Sequence, residues 1–142
     1  MTQDIVIIDT NCANLLSVKM AFQRNGHHVT ITDNHTRIQQ ADKVILPGVG
    51  TAKSAMQSLE EKGLIALIPT LTQPVLGICL GMQLLSAFST ENQQTNCLGI
   101  FDAAITPFTV TDRPIPHMGW NTLIIDHSHP LFDEIPSKSG CE

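Results

Sequence analysis

Apolar residues fall along this chain in short runs that are separated by longer amphipathic stretches. Unbroken or alternating apolar runs are typical of strands, and they predict strands at residues 4–8, 28–32, 43–47 and 74–78. Apolar side chains at helical spacing predict helices at residues 14–26, 52–63, 64–71 and 80–88. This alternation predicts an α/β fold, in which a mostly parallel sheet is covered by helices on both faces.

The pattern changes beyond the last predicted helix. Residues 89–96 are polar and predict a loop, and residues 97–142 contain three or so short apolar stretches interrupted by prolines, which predict short strands. We find no internal repeat, no low-complexity tract and no linker. Residues 1–142 are therefore interpreted as a single domain.

Composition and charge exclude several classes of function. The 142 residues are 42% apolar and 15% charged, with a net charge of −5, which argues against nucleic acid or an anionic membrane as the main partner. No apolar stretch has transmembrane length, and the acidic start with its short apolar run does not resemble a signal peptide. The four scattered cysteines form no CxxC pair, so we expect no metal site, no disulfide framework and no cofactor. A reducing, cytoplasmic location fits best.

The segment Gly-Ile-Cys-Leu-Gly, residues 77–81, places Cys79 between two glycines where a predicted strand gives way to a helix. A nucleophile elbow has the same layout, because its tight turn presents the nucleophile above the sheet edge. The helix that starts at Leu80 would direct N–H groups and its positive dipole end at the sulfur, which favours a thiolate. Spacing alone leaves a second interpretation open, in which Cys79 is a buried residue between closely packed glycines.

The segment Pro-Gly-Val-Gly, residues 47–50, follows a different buried strand. The backbone N–H groups of Gly48, Val49 and Gly50 would be exposed at the carboxyl end of that strand, where sites of open α/β sheets lie. Together with Leu80, such a loop could form an oxyanion hole for an acyl-transfer reaction. The alternative interpretation is a plain turn.

Four segments in chain order resemble one known family. Residues 77–85, GICLGMQLL, resemble the nucleophile motif of class I, triad-type glutamine amidotransferases, and residues 46–56, LPGVGTAKSAM, resemble their oxyanion loop. Residues 9–22, DTNCANLLSVKMAF, and residues 114–121, PIPHMGWN, are similar to segments of one branch, the glutaminase subunits of imidazole glycerol phosphate synthase. The resemblance implies a three-layer, flavodoxin-like fold that lacks its last strands.

The resemblance also implies roles for single residues near the predicted elbow. Cys79 matches the nucleophile that takes the γ-acyl group of glutamine. Gly50 and Leu80 match positions whose N–H groups bind the oxyanion, and Gln83 matches a residue that contacts the substrate.

A second group of residues matches positions near the junction with a cyclase subunit, which is a TIM barrel in this family. Met118 and Trp120 match residues beside that junction, and Asn14 matches a polar position near the same face. For Asn14 the alternative role is the N-cap of the following helix. Asn11 stands where the family usually has glycine; asparagine tolerates left-handed backbone geometry better than other residues with a side chain.

Family members take their catalytic base and its carboxylate partner from a His-Pro-Glu motif near the C-terminus, and this chain has no such motif. The segment HSHPLFDE, residues 127–134, imitates the motif but lacks the glutamate directly after Pro130. His117 is interpreted as a structural or interface residue. The remaining histidines are interpreted as solvated surface: His27, His28 and His35.

The resemblance implies hydrolysis of glutamine to glutamate and ammonia, with the ammonia passed to the cyclase subunit for histidine biosynthesis. Without the acid–base pair, we expect the chain to be an incomplete N-terminal portion that is inactive alone, with one unpaired sheet edge. Two alternatives stay open: another class I glutamine amidotransferase, and a non-catalytic flavodoxin-like module that only binds a partner.

Overall fold

A computed structural model describes residues 3–109, 112, 114–122, 124–125 and 129–133. The chain divides into two compact units, Met1–Pro107 and Phe108–Glu142. None of the helices in the described ranges is long and apolar enough to cross a membrane.

The first unit is built on a four-stranded parallel sheet with the order β2-β1-β3-β4. Its strands are β1 (Ile5–Ile8), β2 (Val29–Thr32), β3 (Lys43–Leu46) and β4 (Val75–Gly77). All four predicted strands are confirmed within one or two residues. Because the strands are parallel, their carboxyl ends meet at one edge of the sheet, and the segments after β3 and β4 are neighbours there.

Helices cover both faces of this sheet, as the sequence pattern predicts. The helices are α1 (Leu15–Arg24), α2 (His35–Gln40), α3 (Ala52–Glu61), α4 (Leu64–Leu67) and α5 (Leu80–Leu84). The larger core cluster joins Val6, Ile8 and Val44 to side chains of α2, α3, α4 and α5. The alternate residues Ile5 and Ile7 face the other way and pack against α1 alone among the helices.

The sequence prediction was wrong in two segments of the first unit. The sequence analysis predicts no helix around His35, which it interprets as solvated surface, but residues His35–Gln40 form α2, with Ile38 fully buried. The elbow helix ends at Leu84, and residues 86–88 belong to strand β5 (Ser86–Ser89), not to that helix. A short apolar run does not distinguish helix from strand by periodicity.

Strand β5 is the centre of a second, three-stranded sheet with the order β6-β5-β7. Its neighbours are β6 (Thr95–Asn96), which is antiparallel to β5, and β7 (Phe101–Ile105), which is parallel to it. Strand β6 lies in the segment that was predicted as a loop. Of the three or so strands predicted for residues 97–142, the described residues contain one, β7.

The described part of the second unit has one regular turn, the 3-10 helix Pro130–Phe132. Several large apolar side chains of this unit are exposed to solvent: Phe108, Ile115, Met118, Trp120, Ile124 and Leu131. Exposed apolar side chains concentrated in one segment are typical of an interaction surface.

Candidate active site

Cys79 occupies a strained turn between β4 and α5. Its backbone angles are φ 55° and ψ −117°, which are close to those of the first central position of a type II′ turn. The turn is closed by the Gly81 N–H, which donates to the Ile78 carbonyl at 3.0 Å. Glycine is the usual residue in this conformation, so a cysteine there is held by its surroundings. The side chain is exposed, and the interpretation of Cys79 as a buried packing residue is therefore wrong.

The two glycines that flank Cys79 allow an unusually close approach of backbone segments. A Cβ atom on Gly81 would lie 1.9 Å from the Leu46 carbonyl oxygen, and one on Gly77 would lie 2.5 Å from Met82 Cα. Real Cβ atoms do not come closer than about 3 Å to other heavy atoms. The elbow therefore packs directly against the end of β3, and any side chain at position 81 would push the elbow away from this strand.

The loop of residues 47–50 lies against this elbow. The Ile78 N–H donates to the Leu46 carbonyl at 3.0 Å, and a Cβ atom on Gly48 would meet Leu80 Cβ at 3.0 Å. Gly50 has a φ of 96°, which a residue with a side chain adopts only with strain. The segments after β3 and β4 are thus neighbours, as the sequence predicts for two halves of an oxyanion hole.

The backbone N–H groups at the start of α5 differ in whether they already donate a hydrogen bond within the elbow. The Gly81 N–H is used within the turn, and the Gln83 N–H donates to the Cys79 carbonyl at 3.2 Å. Leu80 holds the first helical position, where an N–H has no partner within the helix. Its side chain is buried, whereas Gln83 is half-buried and Val49 is 41% exposed. That Gly48, Val49, Gly50, Leu80 and Gln83 bind an oxyanion or a substrate stays a prediction.

Sequence reasoning missed Glu91, which anchors the far end of the 47–50 loop. Its Oε2 atom accepts a hydrogen bond from the Ala52 N–H at 3.1 Å, 39 residues away in sequence. Ala52 begins α3, whose first turn contains no acidic residue, so Glu91 supplies the negative charge that a helix N-terminus favours. The Ser89 hydroxyl, in turn, accepts from the Glu91 N–H at 3.2 Å. The only sequence signal near α3 is that its first turn lacks an acidic residue. This signal does not indicate which distant residue provides the negative charge.

No described histidine of the first unit is hydrogen-bonded to Cys79. His27 and His28 precede β2 and so lie at the amino end of the sheet, opposite the elbow. His35 Nε2 lies 2.9 Å from the Lys62 carbonyl oxygen. In the second unit, His129 Nδ1 accepts from the Leu131 N–H at 3.1 Å. His127 and Glu134 of the HSHPLFDE segment lie outside the described residues.

The residues that the resemblance places near a partner are exposed in the structure. Met118 and Trp120 are 85% and 82% exposed. Asn14 is also exposed and has a φ of 81°; its side chain accepts a hydrogen bond from the Ser17 hydroxyl and does not cap the backbone of α1. Asn11 adopts a φ of 55°, so the left-handed geometry expected of the family's glycine is retained. A partner interface at these residues stays a prediction.

We expect Cys79 to be alkylated by iodoacetamide faster than the other cysteines. Cys79 is exposed and lies at a helix start, whereas Cys12 and Cys97 are half-buried and burial raises the pKa of the Cys97 thiol. Peptide mapping after short labelling at pH 7 measures the order of reaction, with the denatured chain as control. Faster labelling of Cys12, Cys97 or Cys141 in the folded chain would contradict the assignment of Cys79 as nucleophile.

Comparison with known proteins agrees with the family resemblance seen in the sequence. The family described as glutamine amidotransferase class-I matches residues 6–140. The chain is similar to the imidazole glycerol phosphate synthase subunit HisH of Pasteurella multocida (strain Pm70), with 54% identity over 96% of this chain and 69% of that protein. It is likewise 54% identical to the HisH subunit of Blochmanniella pennsylvanica, over 91% of this chain and 66% of that protein.

Among solved structures, a glutamine amidotransferase crystal structure superimposes with a TM-score of 0.60 at 17% identity, over 71% of this chain and 55% of that one. This likeness shows the fold alone. The chain spans about two thirds of the length of the curated relatives that it matches. Within the described residues, no group of three or more His, Cys, Asp or Glu side chains is placed to hold a metal ion.

Proposed function

Because the chain belongs to the class I glutamine amidotransferase family and, within it, to the HisH subunits of imidazole glycerol phosphate synthase, we propose that it is the nucleophile-bearing portion of a glutaminase. The observation that carries the proposal is the backbone of Cys79, with its φ of 55°, directly beside the 47–50 loop. Strained backbone of this kind concentrates at functional sites.

The proposed reaction is thioester formation followed by hydrolysis. The Cys79 thiolate attacks the carboxamide carbon of glutamine, and the N–H groups of Leu80 and Gly50 stabilise the oxygen as it becomes negative. The C–N bond then breaks, and ammonia leaves with a proton that a general acid must supply. Water hydrolyses the thioester, releases glutamate and restores the thiol. The reaction requires neither a metal nor another cofactor.

We propose that the ammonia is used by a cyclase subunit that docks on this chain, in the cytoplasm, for histidine biosynthesis. Ammonia released into water at neutral pH becomes mostly ammonium, which is not nucleophilic, so a closed passage between subunits preserves it. Asn14, Met118 and Trp120 are proposed to contact that subunit. Nucleic acid and membranes are not proposed as partners, because the chain is acidic.

One observation favours a second candidate function, a non-catalytic module that only binds a partner. The described histidines of the first unit make no hydrogen bond to Cys79, and His27 and His28 lie at the opposite end of the sheet. Such a module would keep the elbow as a structural turn without binding glutamine.

Substrate protection separates the two candidates. L-Glutamine should slow iodoacetamide labelling of Cys79, because a bound carboxamide covers the sulfur, whereas L-asparagine, one methylene shorter, should not. Labelling of Cys97, which is half-buried and is not part of the elbow, is the internal control. Equal protection by both amino acids, or none by either, would contradict the glutaminase proposal and favour the binding module.

We expect Trp120→Ala to weaken binding of the cyclase subunit by at least about 2 kcal/mol, as large aromatic side chains do at interface centres. Trp120 is the single tryptophan and is 82% exposed, so its removal should leave the first unit folded. Binding is measured by calorimetry, and Cys79 labelling reports on the first unit.

Phe108→Ala is the matched control for this change, since Phe108 is an aromatic residue of the same unit with a similar exposure of 76%. Equal losses from Trp120→Ala and Phe108→Ala would contradict a specific role for Trp120. A simultaneous change in Cys79 labelling would mean that Trp120 supports the fold.

A further inference from the structure

The side chain of Lys62 connects the ends of two strands to the carboxyl end of α3. Lysine is seldom buried, yet this side chain is only 13% exposed. Its ammonium group donates to the Asp9 carbonyl oxygen at 2.8 Å, and it lies 3.5 Å from Asp9 Oδ1 and 3.1 Å from Asp33 Oδ2. Asp9 directly follows β1, and Asp33 directly follows β2. A single cation therefore joins three segments that are distant in sequence.

The charges around Lys62 depend on one another. The hydrogen bond and the charge of Lys62 lower the pKa of Asp33, so this carboxylate stays ionised to a lower pH than an ordinary aspartate. Without the ammonium group, the carboxylates of Asp9 and Asp33 would repel each other, and the Asp9 carbonyl would lose its side-chain donor. Removal of the Lys62 ammonium group should therefore release Asp9 from its present position.

Asp9 begins the 9–14 loop, which runs from the end of β1 to α1. Asp9 Oδ1 accepts a hydrogen bond from the Asn11 N–H at 2.9 Å, so the position of Asp9 affects the path of the residues after it. Asn11 and Asn14 have φ values of 55° and 81°. Left-handed backbone at a residue with a side chain is costly, although asparagine tolerates it better than most. The loop therefore depends on contacts that hold it in this conformation.

These contacts come from α3 and the residue that follows it. Besides Lys62, the one side chain of another element that donates to the loop backbone, within the residues that the structure describes, is Ser58. Its hydroxyl donates to the Thr10 carbonyl at 2.9 Å. Ser58 precedes Lys62 by four residues, so the two donors lie on the same side of the helix. The carboxyl end of α3 thus supports the loop, whose other end exposes Asn14.

From these contacts we infer that Lys62 is a positioning residue for partner docking, because it holds the 9–14 loop in the conformation that presents Asn14. The inference rests on the proposed function, in which Asn14 contacts the cyclase subunit. Lys62 offers a partner little surface of its own, since its side chain is 13% exposed, so it acts through the loop. A loop that is ordered before docking lowers the entropic cost of association.

Cys12 lies within the loop and is half-buried, so its alkylation reports on loop order without the cyclase subunit or glutamine. In Lys62→Met, iodoacetamide should label Cys12 about three- to tenfold faster, because a hydrogen bond from a charged group no longer resists opening of the loop. Lys53→Met is the matched control, since Lys53 is an exposed lysine of the same helix, and it should leave the rate unchanged. Equal rates in Lys62→Met and the unchanged chain would overturn the inference.

Urea unfolding followed by circular dichroism establishes that each variant is folded under the labelling conditions. If Lys62→Met does not fold, Lys62→Gln takes its place with the same expected direction. Its amide still donates one hydrogen bond but carries no charge. An unchanged Cys12 rate in folded Lys62→Gln would then overturn the inference.

Docking kinetics with the cyclase subunit separate positioning from direct contact. Because Lys62 orders the loop before docking, Lys62→Met should lower the association rate constant about tenfold and leave the dissociation rate constant unchanged. Lys53→Met accounts for the loss of one positive charge from electrostatic steering. A raised dissociation rate constant with unchanged association would mean that Lys62 stabilises the complex itself, and it would overturn the positioning role.

A double variant tests whether Lys62 acts through the loop. Lys62→Met should weaken docking much less in an Asn14→Ala chain than in the unchanged chain, because coupled residues are non-additive. Equal effects in both chains would overturn the inference. Failure of the proposed interface shows as an Asn14→Ala chain that docks normally, whereas failure of Lys62 to hold the loop shows as unchanged Cys12 labelling. The two failures are therefore distinguishable, and neither measurement depends on glutamine hydrolysis.

Discussion

Mixed with glutamine and the cyclase subunit, the 142-residue chain is expected to release ammonia about 10²–10⁴-fold more slowly than a full-length HisH relative, which is the usual loss when a positioned acid–base group is absent. The helix start at Leu80 cannot deliver a proton to the leaving ammonia. In the first unit, His35 is engaged by the Lys62 carbonyl, and His27 and His28 precede β2, at the other end of the sheet.

A coupled glutamate dehydrogenase assay measures this rate, with Cys79→Ser as the blank. Turnover well above the blank would contradict the expectation, and His129→Ala would then test whether the 129–133 segment supplies the base. His27→Ala is the matched control, since that histidine is placed away from the elbow.

Gly81→Ala is expected to lower the free energy of unfolding by about 3 kcal/mol or more, which exceeds the typical cost of an added methylene. The new Cβ atom would lie 1.9 Å from the Leu46 carbonyl oxygen. That atom is backbone and cannot rotate away, so the elbow must lift from β3. Because small domains are stable by only about 5–15 kcal/mol, such a loss approaches the stability of the fold. Urea unfolding followed by circular dichroism measures it.

Two further glycine variants test whether the steric clash, and not backbone strain, accounts for the loss of stability. Gly48→Ala places its Cβ atom 2.8 Å from Gly81 N and should cost less than Gly81→Ala. Gly99→Ala introduces a side chain at a φ of 65° with no atom within 4 Å, so it reports backbone strain without a clash. If Gly99→Ala destabilises the chain as much as Gly81→Ala, the close contact between elbow and strand is not what makes position 81 sensitive.

The parts of the structure that the sequence predicts best are those specified by local patterns. The four strands are short unbroken or alternating apolar runs bounded by turn residues, although only β1 and β3 are mostly buried. The placement of Cys79 between β4 and α5 follows from one strand–turn–helix segment. The adjacency of the elbow and the 47–50 loop follows from parallel order alone, since both segments leave the sheet at its carboxyl edge.

The parts that the sequence did not predict depend on contacts between distant segments. Residues 86–88 continue the helical spacing of α5, yet β6 and β7 provide hydrogen-bonding partners that turn them into a strand. Helix α2 has one buried side chain, Ile38, which is too weak a pattern to separate it from a loop. Glu91 acts on Ala52 across 39 residues, and no short motif signals such a pair.

The backbone of Cys79 has a consequence for how this chain changes under selection. A residue with a side chain at a φ of 55° carries a standing cost of about 1–3 kcal/mol relative to glycine, so glycine at position 79 should give the more stable protein. In a lineage without any use for the thiol, selection for stability would favour that replacement, because no loss of activity would oppose it. For the proposed nucleophile, the chemistry of the thiol therefore outweighs the stability of about 1–3 kcal/mol that glycine would restore.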